Sequence, residues 1–127
     1  MIADASEDYA DIGKSIEVIT VKERSLVAGL HTYIARQKNN VFVVGFTGYI
    51  MQSALMRKQV MRIAQGISVL GISKPNLSKL LLWIPHRDEQ QKIADFLSAI
   101  DTKIESVTKQ VEQIETFKKR LLQKMFV

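Results

Sequence analysis

The chain of 127 residues has no cysteine. Disulfides and thiolate metal sites are therefore excluded, and the composition fits a reducing cytoplasm. Its two histidines, His31 and His86, lie far apart in sequence and leave too few ligands for a zinc site. No apolar run is long enough to span a bilayer, and no signal-peptide pattern opens the chain. Internal repeats and low-complexity tracts are missing too. So are the tetrapeptide Asn-Pro-Pro-aromatic and the patterns Gly-x-Gly-x-x-Gly and Gly-x-Ser-x-Gly. Methyl transfer, dinucleotide binding and serine hydrolysis have no visible machinery here. Gly13-Lys14-Ser15 copies the end of a phosphate-binding loop, but Asp8 stands where that loop needs its first glycine.

What is present describes a soluble, folded chain: 46% hydrophobic residues and a mean hydropathy of +0.01. The net charge of +5 is unevenly spread. Residues 1–11 carry −4, residues 12–86 carry +8 and residues 87–127 carry +1. Positive charge is thus concentrated ahead of the last third, where it can meet phosphates.

The last third holds the strongest pattern. Steps of 4 and 3 pick out Ile93, Leu97, Ile100, Ile104, Val107, Val111, Ile114, Lys118, Leu121 and Met125. Nine of these ten are apolar, and no glycine or proline interrupts them. That spacing predicts a coiled-coil helix from about Arg87 to Met125, with Asp88 and Glu89 favouring the positive end of its dipole. About 38 residues at 1.5 Å each span about 55 Å, while the preceding 86 would form a globule of about 12 Å radius of gyration. The helix is expected to overshoot its own domain and to need a second helix. Residues 87–105 carry −2 and residues 106–127 carry +3, so antiparallel pairing sets opposite signs together, and a two-fold dimer would achieve it with one sequence. Lys118, the one polar seam residue, can fix register at some cost in stability.

Before the helix the signals are short. Strands are expected over 15–21, 26–35, 41–46, 68–72 and 80–84, from β-branched or continuous apolar runs. Ser53 is expected to cap a helix running to about Gln65 and stopped by Gly66; Ser73, with Pro75 behind it, caps a one-turn helix through Leu80. His31, inside an apolar run, reads as a hydrogen-bonded core residue. The fold class is α/β (α+β), with a domain over 1–86 built from short mixed strands and small helices, then the long helix over 87–127.

Three groups of residues carry a resemblance. The first is Leu26-Val27-Ala28-Gly29-Leu30-His31-Thr32 with Arg36. The second is Gly66-Ile67-Ser68-Val69 followed by Ile72-Ser73 and Leu77. The third, the most specific, is Leu82-Trp83-Ile84-Pro85 leading into Glu89-Gln90-Gln91-Lys92-Ile93-Ala94-Asp95-Phe96-Leu97 and Asp101-Thr102-Lys103-Ile104. Together, from about Asp11 to the end, they resemble the DNA-specificity (S) subunit of type I restriction–modification systems. Members of that family carry two target-recognition domains, each followed by a long helix, and the two helices pair antiparallel. The resemblance implies that this chain is the later part of one recognition domain plus one spacer helix, a fragment or truncated form in which the first part of the domain has no counterpart. It departs from the family in carrying His86 where a second proline usually follows Pro85.

The resemblance also implies a non-catalytic chain. Double-stranded DNA and the modification methyltransferase subunit would be its partners, the restriction subunit an indirect one, and S-adenosylmethionine and ATP would sit on partner subunits. Candidate DNA contacts are Arg36, Lys38, Asn39, Asn40, Arg57, Lys58, Arg62, Ser73 and Lys74: cations for phosphates, loop amides and a hydroxyl for base edges. Phe117, Leu122 and Phe126, beside the seam, are a candidate docking patch for another subunit. A coiled-coil dimerisation module without DNA binding of its own is the alternative.

Overall fold

The computed structural model describes residues 1–21 and 26–126. They form two compact units, Met1–Ala94 and Asp95–Val127. Among the described residues there are four two-residue strands and four helices: β1 (Ile2–Ala3), β2 (Ala5–Ser6), β3 (Thr32–Tyr33), α1 (Phe46–Gln52), α2 (Ala54–Ile63), β4 (Leu70–Gly71), α3 (Lys74–Leu77) and α4 (Arg87–Met125). This is the mixed α/β class that the sequence implies, with short strands, small helices and one long C-terminal helix. Val127, the last residue of the expected helical segment, lies outside the described residues.

The first six residues run extended and change partners halfway. β1 pairs antiparallel with β3, Ile2 opposite Tyr33; β2 pairs antiparallel with β4, Ala5 opposite Gly71. Asp4 joins the two ladders, its N–H donating to the His31 carbonyl (3.2 Å) and its carbonyl accepting from the Ile72 N–H (2.8 Å). The loop behind them is closed by Asp8, whose Oδ1 accepts from the Ala10 N–H at 2.8 Å, an Asx-type turn. That turn delivers Ile12 to the main core, where it is fully buried with Met56, Val60, Leu70 and Ile72. Gly13 follows at φ +67°, and a Cβ there would lie 2.4 Å from Val60 Cγ1. Its glycine is needed for this left-handed close approach, which accounts for Gly13-Lys14-Ser15 without a phosphate.

α2 forms as its sequence indicates. Ser53 Oγ accepts from the Met56 N–H (3.4 Å), and Met56 and Val60, one turn apart, face the core. The helix ends earlier than expected, at Ile63, because Gln65 and Gly71 pair through two backbone hydrogen bonds of 3.0 and 2.7 Å. Gly66 serves that hairpin instead of the helix end. It sits at φ +141°, and a Cβ would fall 1.9 Å from the Val69 carbonyl oxygen. α3 is capped by Ser73, whose Oγ accepts from the Asn76 N–H at 3.3 Å, and closes at Leu77, short of Leu80.

Most of the expected strands are not formed. Within 26–35 only Thr32–Tyr33 pair, and within 68–72 only Leu70–Gly71. From 15–21, Ser15 makes one isolated bridge to Ile2, and Ile16 exchanges backbone hydrogen bonds with Met1. The 41–46 run is a turn leading into α1. Glu17 produces that helix start: its carboxylate oxygens accept from the Gly45 N–H (2.9 Å) and the Gly48 N–H (2.8 Å), two donors that α1 leaves unpaired at its N-terminus. Val43 and Phe46 then bury against Ala94 in a second, smaller core. The 80–84 segment forms no ladder, and its partner is a side chain. Gln59 Oε1 accepts from the Leu81 N–H and Gln59 Nε2 donates to the Leu81 carbonyl, both at 2.9 Å. Leu80 and Leu82 face the main core while Leu81 and Trp83 are exposed, the alternation of a strand without a ladder.

Candidate nucleic-acid and helix-pairing interface

The 36–40 loop gathers four of the expected DNA contacts. Arg36, Lys38, Asn39 and Asn40 are all exposed. The tip turns at Asn40, which takes a left-handed φ of 47°, a conformation asparagine tolerates better than most residues. Three side chains hold the base of the loop. Gln37 Oε1 accepts from the Phe42 N–H at 3.0 Å. Arg87 Nη1 donates to the Asn40 carbonyl at 2.5 Å. Gln90, in the first turns of α4, is 1% exposed and makes three contacts: its Oε1 accepts from the Val43 N–H (2.9 Å), and its Nε2 donates to the carbonyls of Val41 (3.2 Å) and Pro85 (3.0 Å). Every polar function of that amide is used, as burial requires.

The cations of α2 divide. The Arg57 guanidinium is half-buried and tied to the 9–12 loop. Its Nη1 donates to the Ile12 carbonyl (2.7 Å) and its Nη2 to the carbonyls of Tyr9 (3.3 Å) and Ala10 (3.1 Å). Lys58 and Arg62, four residues apart on one helical face, are exposed. Ser73 uses its hydroxyl oxygen to cap α3. Lys74, the next residue, places its ammonium 5.5 Å from the centroid of the Tyr33 ring, a cation–π contact. The Tyr33 hydroxyl donates to the Ile72 carbonyl at 3.1 Å. Removal from water, then the charge of Asp4, hold its pKa above the usual phenol value.

His31 is not in the core. Its side chain is 67% exposed, with Nδ1 3.5 Å from Asp4 Oδ1. The turn before β3 carries it to the surface, so the apolar residues around it in sequence do not surround it in space.

The seam positions fall into two sets. Ile93 packs on the smaller core of the first unit with Val43, Phe46 and Ala94. In the second unit Leu97 is half-buried, while Ile100, Ile104, Val107, Val111, Ile114, Lys118, Leu121 and Met125 are all exposed. So are Phe96, Phe117, Leu122 and Phe126 beside them. Single exposed apolar residues need no account, but a stripe recurring through the helix at heptad spacing does. Among the described residues no group of three His, Asp or Glu side chains could hold a metal, and no helix is long and apolar enough to cross a membrane.

From the sequence no role is assigned to Gln90, Glu17 or Gln59, although Gln90 lies in the most specific of the three resembling groups. Gln90 had a signal, since it lies three and four residues before Ile93 and Ala94 and so shares their inward face. Glu17 and Gln59 act on backbone 28 and 22 residues away, and nothing local marks either.

A family described as the type I restriction modification DNA specificity domain matches residues 9–116. The chain is 29% identical over 113 residues to the type I restriction enzyme MjaVIII specificity subunit of Methanocaldococcus jannaschii, covering 87% of this chain and 27% of that protein. It is 26% identical over 122 residues to a protein assigned as the MjaX specificity subunit of the same organism, covering 95% and 28%. The chain therefore spans just over a quarter of the length of these relatives. No solved structure matches it significantly.

Proposed function

The chain belongs to the type I restriction–modification DNA specificity family, and on that premise we propose that it contacts double-stranded DNA and scaffolds modification methyltransferase subunits through α4. The observation that carries this reading is the exposed apolar seam, continuous from Ile100 to Met125 except for Lys118. Burying each seam side chain is worth roughly 1.5–3 kcal/mol, so leaving the stripe wet is unfavourable even after ordering costs. A second copy of the same helix is a suitable partner. The acidic first part and basic last part of α4 make antiparallel pairing the favoured direction. Phe117, Leu122 and Phe126 then lie beside the paired seam as the docking patch for a methyltransferase subunit.

DNA contact rests on Arg36, Lys38, Lys58, Arg62 and Lys74, exposed cations that can neutralise phosphates. The chain itself is non-catalytic in this reading. S-adenosylmethionine and ATP chemistry belong to partner subunits, with the restriction subunit reached indirectly, and the assembly works in the cytoplasm. The alternative is a dimerisation module that binds no DNA. One observation favours it: the Arg57 guanidinium is committed to three carbonyls of its own chain.

Titrating a mixed-sequence duplex at increasing salt separates the two. The DNA-contact reading predicts affinity that falls linearly in log–log form. The Lys58→Ala/Arg62→Ala variant should flatten that slope by about 1–2, because each lost phosphate contact removes roughly 0.9 from it. Binding that is absent at low salt would leave the dimerisation module standing.

A further inference from the structure

We propose that Gln90 is a positioning residue for DNA contact: its buried side-chain amide fixes the 37–43 loop so that Lys38, Asn39 and Asn40 are presented in one arrangement. The inference rests on the DNA-contact reading above and adds to it the device that sets the loop.

The geometry argues against a loop that merely happens to be there. Its tip carries one ammonium and two carboxamides, the groups that meet phosphates and base edges, and all three residues are exposed. Its base is held at successive residues. The Asn40 carbonyl takes Arg87, the Val41 carbonyl and Val43 N–H take Gln90, and the Phe42 N–H takes Gln37. Arg87 and Gln90 both belong to the first turn of α4, so one helical segment holds the chain from the tip at Asn40 to Val43. The remaining Gln90 contact, to the Pro85 carbonyl, ties the same amide to the segment that enters α4. A Gln in this place supplies one acceptor and two donors to one backbone N–H and two carbonyls. Apolar residues of the same size can fill the space but leave the buried Val43 N–H and two half-buried carbonyls without this partner.

A loop fixed before binding loses less freedom on binding, and contacts made through it depend on its holder. The test is a double-mutant cycle on the full chain, read by affinity and salt slope for a mixed-sequence duplex. Gln90→Met and Lys38→Ala are each expected to weaken binding about threefold to tenfold and to flatten the salt slope by about one. The double variant should bind no more weakly than the poorer single variant, because both changes remove the same contact. Gln90→Glu provides a readout that simple packing would not move. At neutral pH its carboxylate faces two carbonyls and should behave like the Met variant. As acid protonates it, an O–H donor returns, and its affinity relative to wild type at the same pH should recover. Amide exchange at Val43 reports the state of the loop directly.

Additive losses in the cycle would overturn the proposal. So would Gln90→Met that frees the Val43 amide without changing affinity or slope, with DNA binding by the wild type left intact. A wild-type chain that binds no DNA would sink the DNA-contact reading and this inference together, while protection at Val43 would still mark the clasp as structural.

Discussion

The variant Val107→Asp/Val111→Asp is expected to sediment as a monomer at concentrations where the parent chain is a dimer. Both valines occupy consecutive seam positions in the middle of α4, and they are 45% and 49% exposed in the single chain. An antiparallel two-fold pairing buries each of them twice, once per copy. Four buried valines are worth roughly 6 kcal/mol or more at 1.5 kcal/mol each, which is over four decades in the dimer dissociation constant. Four unpaired carboxylates in an apolar seam add a desolvation cost in the same direction. The control is Lys109→Asp/Gln113→Asp, which puts the same residue type in the same stretch of helix but off the seam. It tests whether lower helix propensity alone is responsible, since aspartate is a poorer helix former than either residue replaced. The control should remain dimeric. Dissociation of both variants alike would show that the stripe is not the contact.

Met56→Ala is expected to lower the thermal midpoint of the first unit by about 10 °C or more. Met56 is 2% exposed and touches the main core formed by Ile12, Val60, Leu70 and Ile72. Truncating a fully buried methionine removes its transfer free energy and leaves a cavity, together about 2–5 kcal/mol. In a unit of this size each kcal/mol moves the midpoint by about 4–8 °C. The core is small, and the strands that frame it are two residues long, so there is little else to absorb the loss. Met61→Ala, on the exposed side of the same helix, should move the midpoint by only a degree or two. Equal shifts in the two variants would mean that helix propensity, not the core, sets the stability.

The sequence was most legible where structure is set by neighbours along the chain. The heptad spacing marked α4 from Arg87 to Met125, and Ser53 and Ser73 marked two helix starts, because a periodic stripe or a capping hydroxyl is a local signal. Strands were the least legible. β-Branched runs at 15–21 and 41–46 state a preference, but a ladder needs a partner, and here the partners are two residues long or are side chains. The 41–46 run became a turn and helix start because Glu17 and Gln90 satisfy its N–H groups from elsewhere in the chain. At the candidate DNA surface, residue type picked out the 36–40 loop and the cations of α2. It could not show that Arg57 spends its guanidinium on the 9–12 loop while Lys58, beside it, is exposed. That distinction depends on how far each side chain lies from a carbonyl, which composition does not encode.

If α4 scaffolds a type I modification assembly, as proposed, this chain must hold a methyltransferase subunit in solution. The decisive experiment is co-expression with the modification methyltransferase of the same host, followed by the native mass of what co-purifies. A stoichiometric complex of this chain and the methyltransferase is the result expected, with Phe117→Ala/Phe126→Ala weakening it. A clean homodimer that leaves the methyltransferase behind would contradict the claim and reduce the chain to a dimerisation module.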